Sequence, residues 1–238
     1  MPESAAGGEP ISRPGRTGPK CKEGHGGWPP RLVFATTNRG KLREVAEILG
    51  AEGVEVVGID DVAPGWQVVE DGTTFAENAR IKASDLARRT GLPVLGDDSG
   101  LEVDALGGRP GVRSARYAGE HATDAENVTR LLAELGDVAE HARTAAFCCA
   151  LALAWPDGSL VEAEGRCDGR IARAPRGSGG FGYDPVFLDP ASGRTFGELP
   201  AEAKNVFSHR RRALDALRLV FRLADARLKA QDRDGTPG

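Results

Sequence analysis

Two adjacent carboxylates, Asp97 and Asp98, end the apolar run LPVL and lead into Ser99-Gly100 in the stretch LGDDSGLEVDAL. Like charges side by side at the end of a buried strand need a cation close by. Successive side chains of an extended strand point to opposite sides, so one member of the pair is expected to face a site. A second acidic pair, Glu70-Asp71, stands in VVEDG just before a helical pattern. Carboxylates beside a phosphate suit Mg²⁺, which takes one or two protein carboxylates and otherwise water and phosphate oxygens. Such a carboxylate can also accept the proton of an attacking water. A turn held by Asx hydrogen bonds is the alternative reading of the Asp-Asp pair taken by itself.

A phosphate site is legible upstream, in ATTNRGK (Ala35–Lys41), between an apolar strand-like run and a helix. Helix starts leave N–H groups free and carry the positive end of the dipole. Thr36, Thr37 and Asn38 add donors, and Lys41 adds charge; simple capping by Thr37 or Asn38 is the alternative. The loop is not a Walker A motif, because Ala35 and Leu42 stand where Gly and Ser or Thr are required. GSGGFG (Gly177–Gly182) has the letters of a dinucleotide fingerprint, but YDPVFLD follows and reads as a strand, not a helix. The loop still lets backbone approach a ligand, and Phe181 and Tyr183 are candidates to stack on a base. Asn78 and Lys82, four residues apart, share a helix face, with Glu77 as a cap. The helix start SHRRRAL is basic, which opposes the dipole unless an anion lies there.

The elements that must position these residues alternate. RLVFAT and VEVVGI read as strands around the helix of TNRGKLREVAEILG, where Leu42, Val45, Ala46 and Leu49 form a stripe. Thr74 and Glu77 make a capping box for a second helix that Gly91 ends. LPVLGD is a strand, GGRPGVRSARYAGE a loop, and a helix runs from about Asp124 to Leu135 behind Thr123 and Glu126. RTAAFCCALALAW and LVEAEGRCDGRI pair as a hairpin through PDG, and PVFLD is a late strand. The last helix carries Leu214, Leu217, Phe221 and Leu228 on one stripe, with the small Ala224 between the last two. The expected fold class is α/β with a mixed sheet, a single domain over residues 31–228 in two lobes. Residues 1–30 are expected to be a disordered extension and 229–238 a flexible tail.

The 238 residues carry a net charge of −4, so the chain is no overall polybasic nucleic-acid binder. Its four cysteines include no C-x-x-C pair and read as small buried thiols of a reducing compartment. No apolar run is long enough for a membrane span and no leader is visible, so a cytoplasmic protein is expected.

ATTNRGKLREV, TFAENARIKA, DDSGLEVDALGGRPGVRSARYAG, GGFGYDPVF and SHRRRAL, in that order, resemble the Ham1/RdgB-type non-canonical purine NTP pyrophosphatases. The resemblance covers roughly Arg31 to Leu223. It implies an elongated two-lobed mixed-sheet fold with a cleft between the lobes, a homodimer, and Mg²⁺-dependent hydrolysis of dITP, ITP and XTP to the monophosphate and pyrophosphate. Residue by residue, it implies phosphate binding by Thr36, Thr37, Asn38, Arg39, Gly40 and Lys41. Asp98 becomes proton acceptor and metal ligand, with Glu70 as the other ligand, and Ser99 a substrate contact. Phe181, Gly182, Tyr183 and Asp184, together with Lys204, His209 and Arg210, hold the rest of the substrate. Two rivals remain at this level. One is a nucleotide phosphohydrolase of Maf-like base specificity. The other is a non-catalytic nucleotide- or RNA-binding module built on Arg210, Arg211 and Arg212.

Overall fold

The structure is a computed structural model that describes residues 27–233, with side chains described up to Leu223. Along the chain run β1 (Arg31–Ala35), α1 (Arg39–Gly50), β2 (Glu55–Gly58), α2 (Ile59–Val62), α3 (Phe75–Thr90), β3 (Val94–Val103) and α4 (Asp124–Glu134). Then come β4 (Thr144–Ala154), β5 (Leu160–Ile171), β6 (Phe187–Leu188), α5 (Ala201–Phe207) and α6 (His209–Arg233). The strands form one six-stranded mixed sheet in the order β2-β1-β3-β4-β5-β6. β1 is parallel to β2 and β3, while β3, β4, β5 and β6 are antiparallel in succession.

Local chemistry sets the element starts. Asn38 caps α1 by accepting from the Lys41 amide at 3.0 Å. Thr74 and Glu77 form the expected reciprocal box at α3, and Thr123 and Glu126 repeat it at α4. The 12-residue α1 and the long α6 pack one sheet face through Phe34, Val45, Leu49, Leu151, Leu214 and Leu217. α3 covers the opposite face with small residues, Ala79 and Ala83 against Ala150 and Ala152. β3, β4 and β5 outrun β1 and β2, and their far ends carry a second core of Leu101, Val103, Phe147, Phe187 and Phe196 under α4. That second core is the second lobe, and a cleft lies between the two.

Three boundaries differ from expectation. The folded part begins before Arg31, because Trp28 is fully buried and meets Phe221 edge-on at 5.2 Å. Helical backbone of α6 continues to Arg233, past the expected end at 228, while Leu228 itself lies outside the described side chains. The strand expected over PVFLD shrinks to Phe187–Leu188, because the Val186 and Phe187 amides both turn back to the Tyr183 carbonyl. No helix among the described residues is long and apolar enough to cross a membrane.

Candidate active site

A cleft of about 290 Å³ opens where the β1–α1 loop, α3, β3, the Gly-rich loop and the start of α6 meet. Its lining gathers residues far apart in sequence: Thr36, Thr37, Asn38 and Lys41, then Glu70, then Asp98 and Ser99. Phe181, Gly182, Tyr183, Asp184, Lys204, His209 and Arg210 complete the wall. Arg39 and Gly40 are the two expected contacts that do not line it; Gly40 instead lies behind the Phe181 ring.

The Asp97–Asp98 pair is divided by the strand itself. Asp97 points to the α1/α6 face of the sheet and is 1% exposed. Its Oδ1 takes the Lys41 ammonium at 2.5 Å and the Ser99 hydroxyl at 3.1 Å. Its Oδ2 takes Arg210 Nε at 2.8 Å and the Cys149 thiol at 3.2 Å. Burial alone would raise this carboxyl, but Arg210 and Lys41 overcome it and hold Asp97 well below the usual carboxylate range.

Asp98 points the other way, into the cleft beside α3. Asn78 Nδ2 donates to its Oδ2 at 3.1 Å, and Lys82 Nζ approaches Oδ1 at 3.3 Å. Here burial wins over Lys82, Lys41 and Asn78, and the Asp98 carboxyl is pushed up. The chain itself sets cations beside the pair: Lys41 and Arg210 on one face, Lys82 on the other. Lys82 is not a solvated charge. It is buried, also holds Glu70 Oε2 at 2.8 Å, and is kept cationic by Asp98 and Glu70 against desolvation.

At the other end of the cleft, Lys204 Nζ bonds Asp184 Oδ2 at 2.6 Å and lies 4.7 Å from the centre of the Phe181 ring. Asp184 also accepts from the Phe181 amide at 2.9 Å, which fixes the loop. Burial raises the Asp184 carboxyl despite Lys204. Tyr183 does not offer a free stacking face: its ring is buried and its hydroxyl donates to the Ser114 carbonyl at 2.8 Å. His209 stacks on Phe147 at 4.8 Å, and its buried Nδ1 has no partner. Burial, then Arg210 and Lys204, hold it well below its ordinary value, so the imidazole is neutral. α6 brings His209 this close because residue 165 is Gly: a Cβ there would lie 2.1 Å from the His209 carbonyl oxygen.

Arg210, in the cleft wall, is also tied to the protein: Nε donates to Asp97, Nη1 to Glu44, and Nη2 to Ser99 Oγ at 3.0 Å. Beside it, Arg211 pairs with Asp215 at 2.9 Å and the exposed Arg212 donates to the Arg166 carbonyl at 2.8 Å. Sequence reasoning missed Glu44, which is buried and also accepts from Ser208 at 3.2 Å. Its signal was present: a carboxylate one turn before Ile48 on the buried side of α1. Asp124, which holds the Gly182 amide at 2.7 Å, and Asn127, which holds the Ala118 amide at 2.7 Å, were read only as parts of a helix start.

Among the described residues, no three His, Cys, Asp or Glu side chains cluster as a ready-made metal cage. Asp98 and Glu70 nevertheless converge on one cationic point, the Lys82 ammonium, from two separate elements. Two carboxylates aimed at one cation in a cleft fit an ion that keeps most of its ligands as water and phosphate.

The chain matches the family model described as "Ham1 family" over residues 32–220. It is 55% identical over 186 residues to the dITP/XTP pyrophosphatase of Geobacillus kaustophilus, covering 78% of this chain and 91% of that protein. It is 49% identical to the dITP/XTP pyrophosphatase of Streptomyces coelicolor over 194 residues, 81% of this chain and 97% of that one. Among solved structures, the Staphylococcus aureus Ham1 protein superposes with a TM-score of 0.72 at 39% identity, over 81% of this chain and 98% of the other. A dITP/XTP pyrophosphatase from Mycobacterium abscessus superposes at 0.63 with 47% identity, over 79% and 97%. With a mixed α/β sheet, an interlobe cleft and relatives matched nearly end to end, the chain belongs to the Ham1 family.

Proposed function

We propose that this protein is a nucleoside-triphosphate pyrophosphatase that hydrolyses dITP, XTP and ITP to the monophosphate and pyrophosphate, with Mg²⁺, as a cytoplasmic homodimer. The names of the relatives supply the substrate class. The observation that carries the reading is the contrast between neighbours: Asp97 is consumed in holding Lys41 and Arg210, while Asp98 faces the cleft with a carboxyl made more basic by burial.

In this reading Thr36, Thr37, Asn38 and Lys41, at the positive end of the α1 dipole, bind the triphosphate. Asp98 and Glu70 would hold Mg²⁺, which when bound supplies charge neutralisation at the phosphate oxygens. Asp98 accepts the proton of a water whose oxygen attacks the α-phosphorus. The bond from that phosphorus to the bridging oxygen breaks, and pyrophosphate leaves with the electron pair. Lys82 stabilises the charge around the reacting phosphate and keeps Asp98 oriented. The Phe181 ring stacks on the base. Neutral His209 and the backbone offer donors to a 6-oxo purine, and adenine's 6-amino group would set donor against donor, leaving buried groups unpaired.

The test is incubation with Mg²⁺ and, separately, ITP, XTP, dITP, ATP and GTP, with product identification. Monophosphate and pyrophosphate from the first three, with ATP and GTP nearly untouched and turnover abolished by chelator, is the expected result. Orthophosphate as primary product, or equal attack on ATP, would overturn the assignment.

A further inference from the structure

The resemblance casts Gly40 as a phosphate contact, yet it does not line the cleft. It sits in the first turn of α1 with its α-carbon against Phe181. A Cβ built on Gly40 would lie 2.6 Å from Phe181 Cδ1 and 3.0 Å from both Cγ and Cε1. Cγ and Cε1 are scarcely farther away than Cδ1, which puts that point above the ring plane at its Cδ1 rim; an approach in the plane would leave both clearly farther off. A real Cβ does not approach carbon this closely, so any side chain at position 40 must push the ring. The loop that carries Phe181 is anchored, and Lys204 Nζ lies over the ring, 4.7 Å from its centre. The Phe181 amide is tied to Asp184, Asp184 is tied to buried Lys204, and the Gly182 amide is tied to Asp124.

We propose that Gly40 is a positioning residue for base recognition: its bare α-carbon seats one face of Phe181 and fixes the ring at the height where the other face meets the purine. The proposal deepens the reading of Phe181 as the stacking residue and rests on it. It also accounts for a local conflict. Glycine is among the weakest helix formers, and a first-turn position that only offers an amide to phosphate would be filled equally well by alanine, which also favours the helix. What alanine cannot do here is leave the ring in place. The phosphate-binding amides and the ring seat are thus on the same turn, so the start of α1 couples the two ends of the nucleotide site.

The experiment is a double-variant cycle on the full chain: wild type, Gly40→Ala, Phe181→Leu and Gly40→Ala/Phe181→Leu. Calorimetric binding of inosine monophosphate and of inorganic pyrophosphate is measured for each, with Tm. The expected result is roughly tenfold weaker inosine monophosphate binding by Gly40→Ala, the scale of a lost aromatic–base stack. Pyrophosphate binding should stay within about twofold, the size of assay scatter on this energy scale. The double variant should bind no worse than Phe181→Leu alone, because the smaller leucine leaves nothing to displace. If Gly40→Ala weakens both ligands equally, Gly40 acts on phosphate and the proposal is wrong. Binding indistinguishable from wild type would equally overturn it. If Gly40→Ala is poorly folded, the proposal requires Phe181→Leu to restore its Tm, and failure to do so refutes the ring seat. Wild-type protein that binds no inosine monophosphate would sink the functional reading instead, while the Tm cycle would still report whether residue 40 and Phe181 are sterically coupled.

Discussion

Replacing each of two neighbouring aspartates by asparagine should give opposite phenotypes. Asp97→Asn leaves Lys41 and Arg210 facing a neutral amide in a site where Asp97 and Arg210 are each 1% exposed. Removing one partner from a buried ion pair typically destabilises by about 3–5 kcal/mol, because the remaining charge is stranded in low dielectric. Glu44 still holds one arm of Arg210, which argues for the lower half of that range. For a chain of this size each kcal/mol moves Tm by about 2–4 °C, so a fall of roughly 6–15 °C is expected. Asp98→Asn is the reverse case. Burial has already raised the Asp98 carboxyl, so its charged form opposes folding, and Lys82 keeps Glu70 as partner. Tm should stay within a few degrees or rise, while turnover falls by about 10²–10⁴ with the proton acceptor gone. Differential scanning calorimetry and pyrophosphate release on ITP separate the two axes. Equal Tm losses in both variants, or an active Asp98→Asn enzyme with an intact fold, would refute the division of labour across β3.

Other consequences follow from the same geometry. Lys82 lowers the Asp98 carboxyl against burial, so Lys82→Met should move the acid limb of the pH–rate profile to higher pH; a limb that stays put would detach Asp98 from the rate. His209 is buried and held well below its ordinary value, so the unfolded chain takes up a proton that the folded one refuses. Stability from this group is therefore present above about pH 6.5 and lost as pH falls below it. Asp98 and Asp184, both raised, act in the opposite sense at lower pH, so the diagnostic is that His209→Phe flattens the dependence of Tm between pH 7 and 5. Trp28→Ala should lower stability by about 3–5 kcal/mol by emptying a fully buried site, without changing kcat per folded molecule.

What the sequence disclosed depended on the range of the signal. Capping boxes at Thr74 and Thr123 and the hairpin through PDG are local chemistry, and they form where the letters put them. The stripe of Leu214, Leu217 and Phe221 is periodic and lands in the core. Trp28 carried no such pattern, since a single aromatic among Gly and Pro gives no periodicity, and only the distant Phe221 makes it a core residue. The residues named from the sequence, Arg39 and Gly40 excepted, gather around one cleft, and each could be picked out because it sits in a short block of its own. Their pairings were not legible. Lys41 and Asp97 are 56 positions apart, and Arg210 and Asp97 are 113 apart. Nothing in either block says that Arg210 donates to Asp97, Glu44 and Ser99.

Those pairings change what the site is before substrate arrives. A lone lysine beside a phosphate loop would sample many rotamers and lose that freedom on binding. Here Lys41 is fixed by Asp97, which Arg210 and Cys149 hold in turn, so its ammonium is already set at the mouth of the α1 amides. Asp97 also partly neutralises Lys41, so a phosphate must share the ammonium with a carboxylate. The arrangement exchanges raw attraction for fixed geometry. In the proposed function, a rigid site with attenuated charge would bind a triphosphate by the fit of its oxygens more than by its net charge, which would favour turnover over tight retention of the pyrophosphate product. The strand makes this possible at no cost in residues. Its two-residue period sends Asp97 to the α1 and α6 face to hold Lys41 and Asp98 to the α3 face and the cleft, so in the proposed mechanism one dipeptide serves positioning and chemistry on opposite faces of the same sheet.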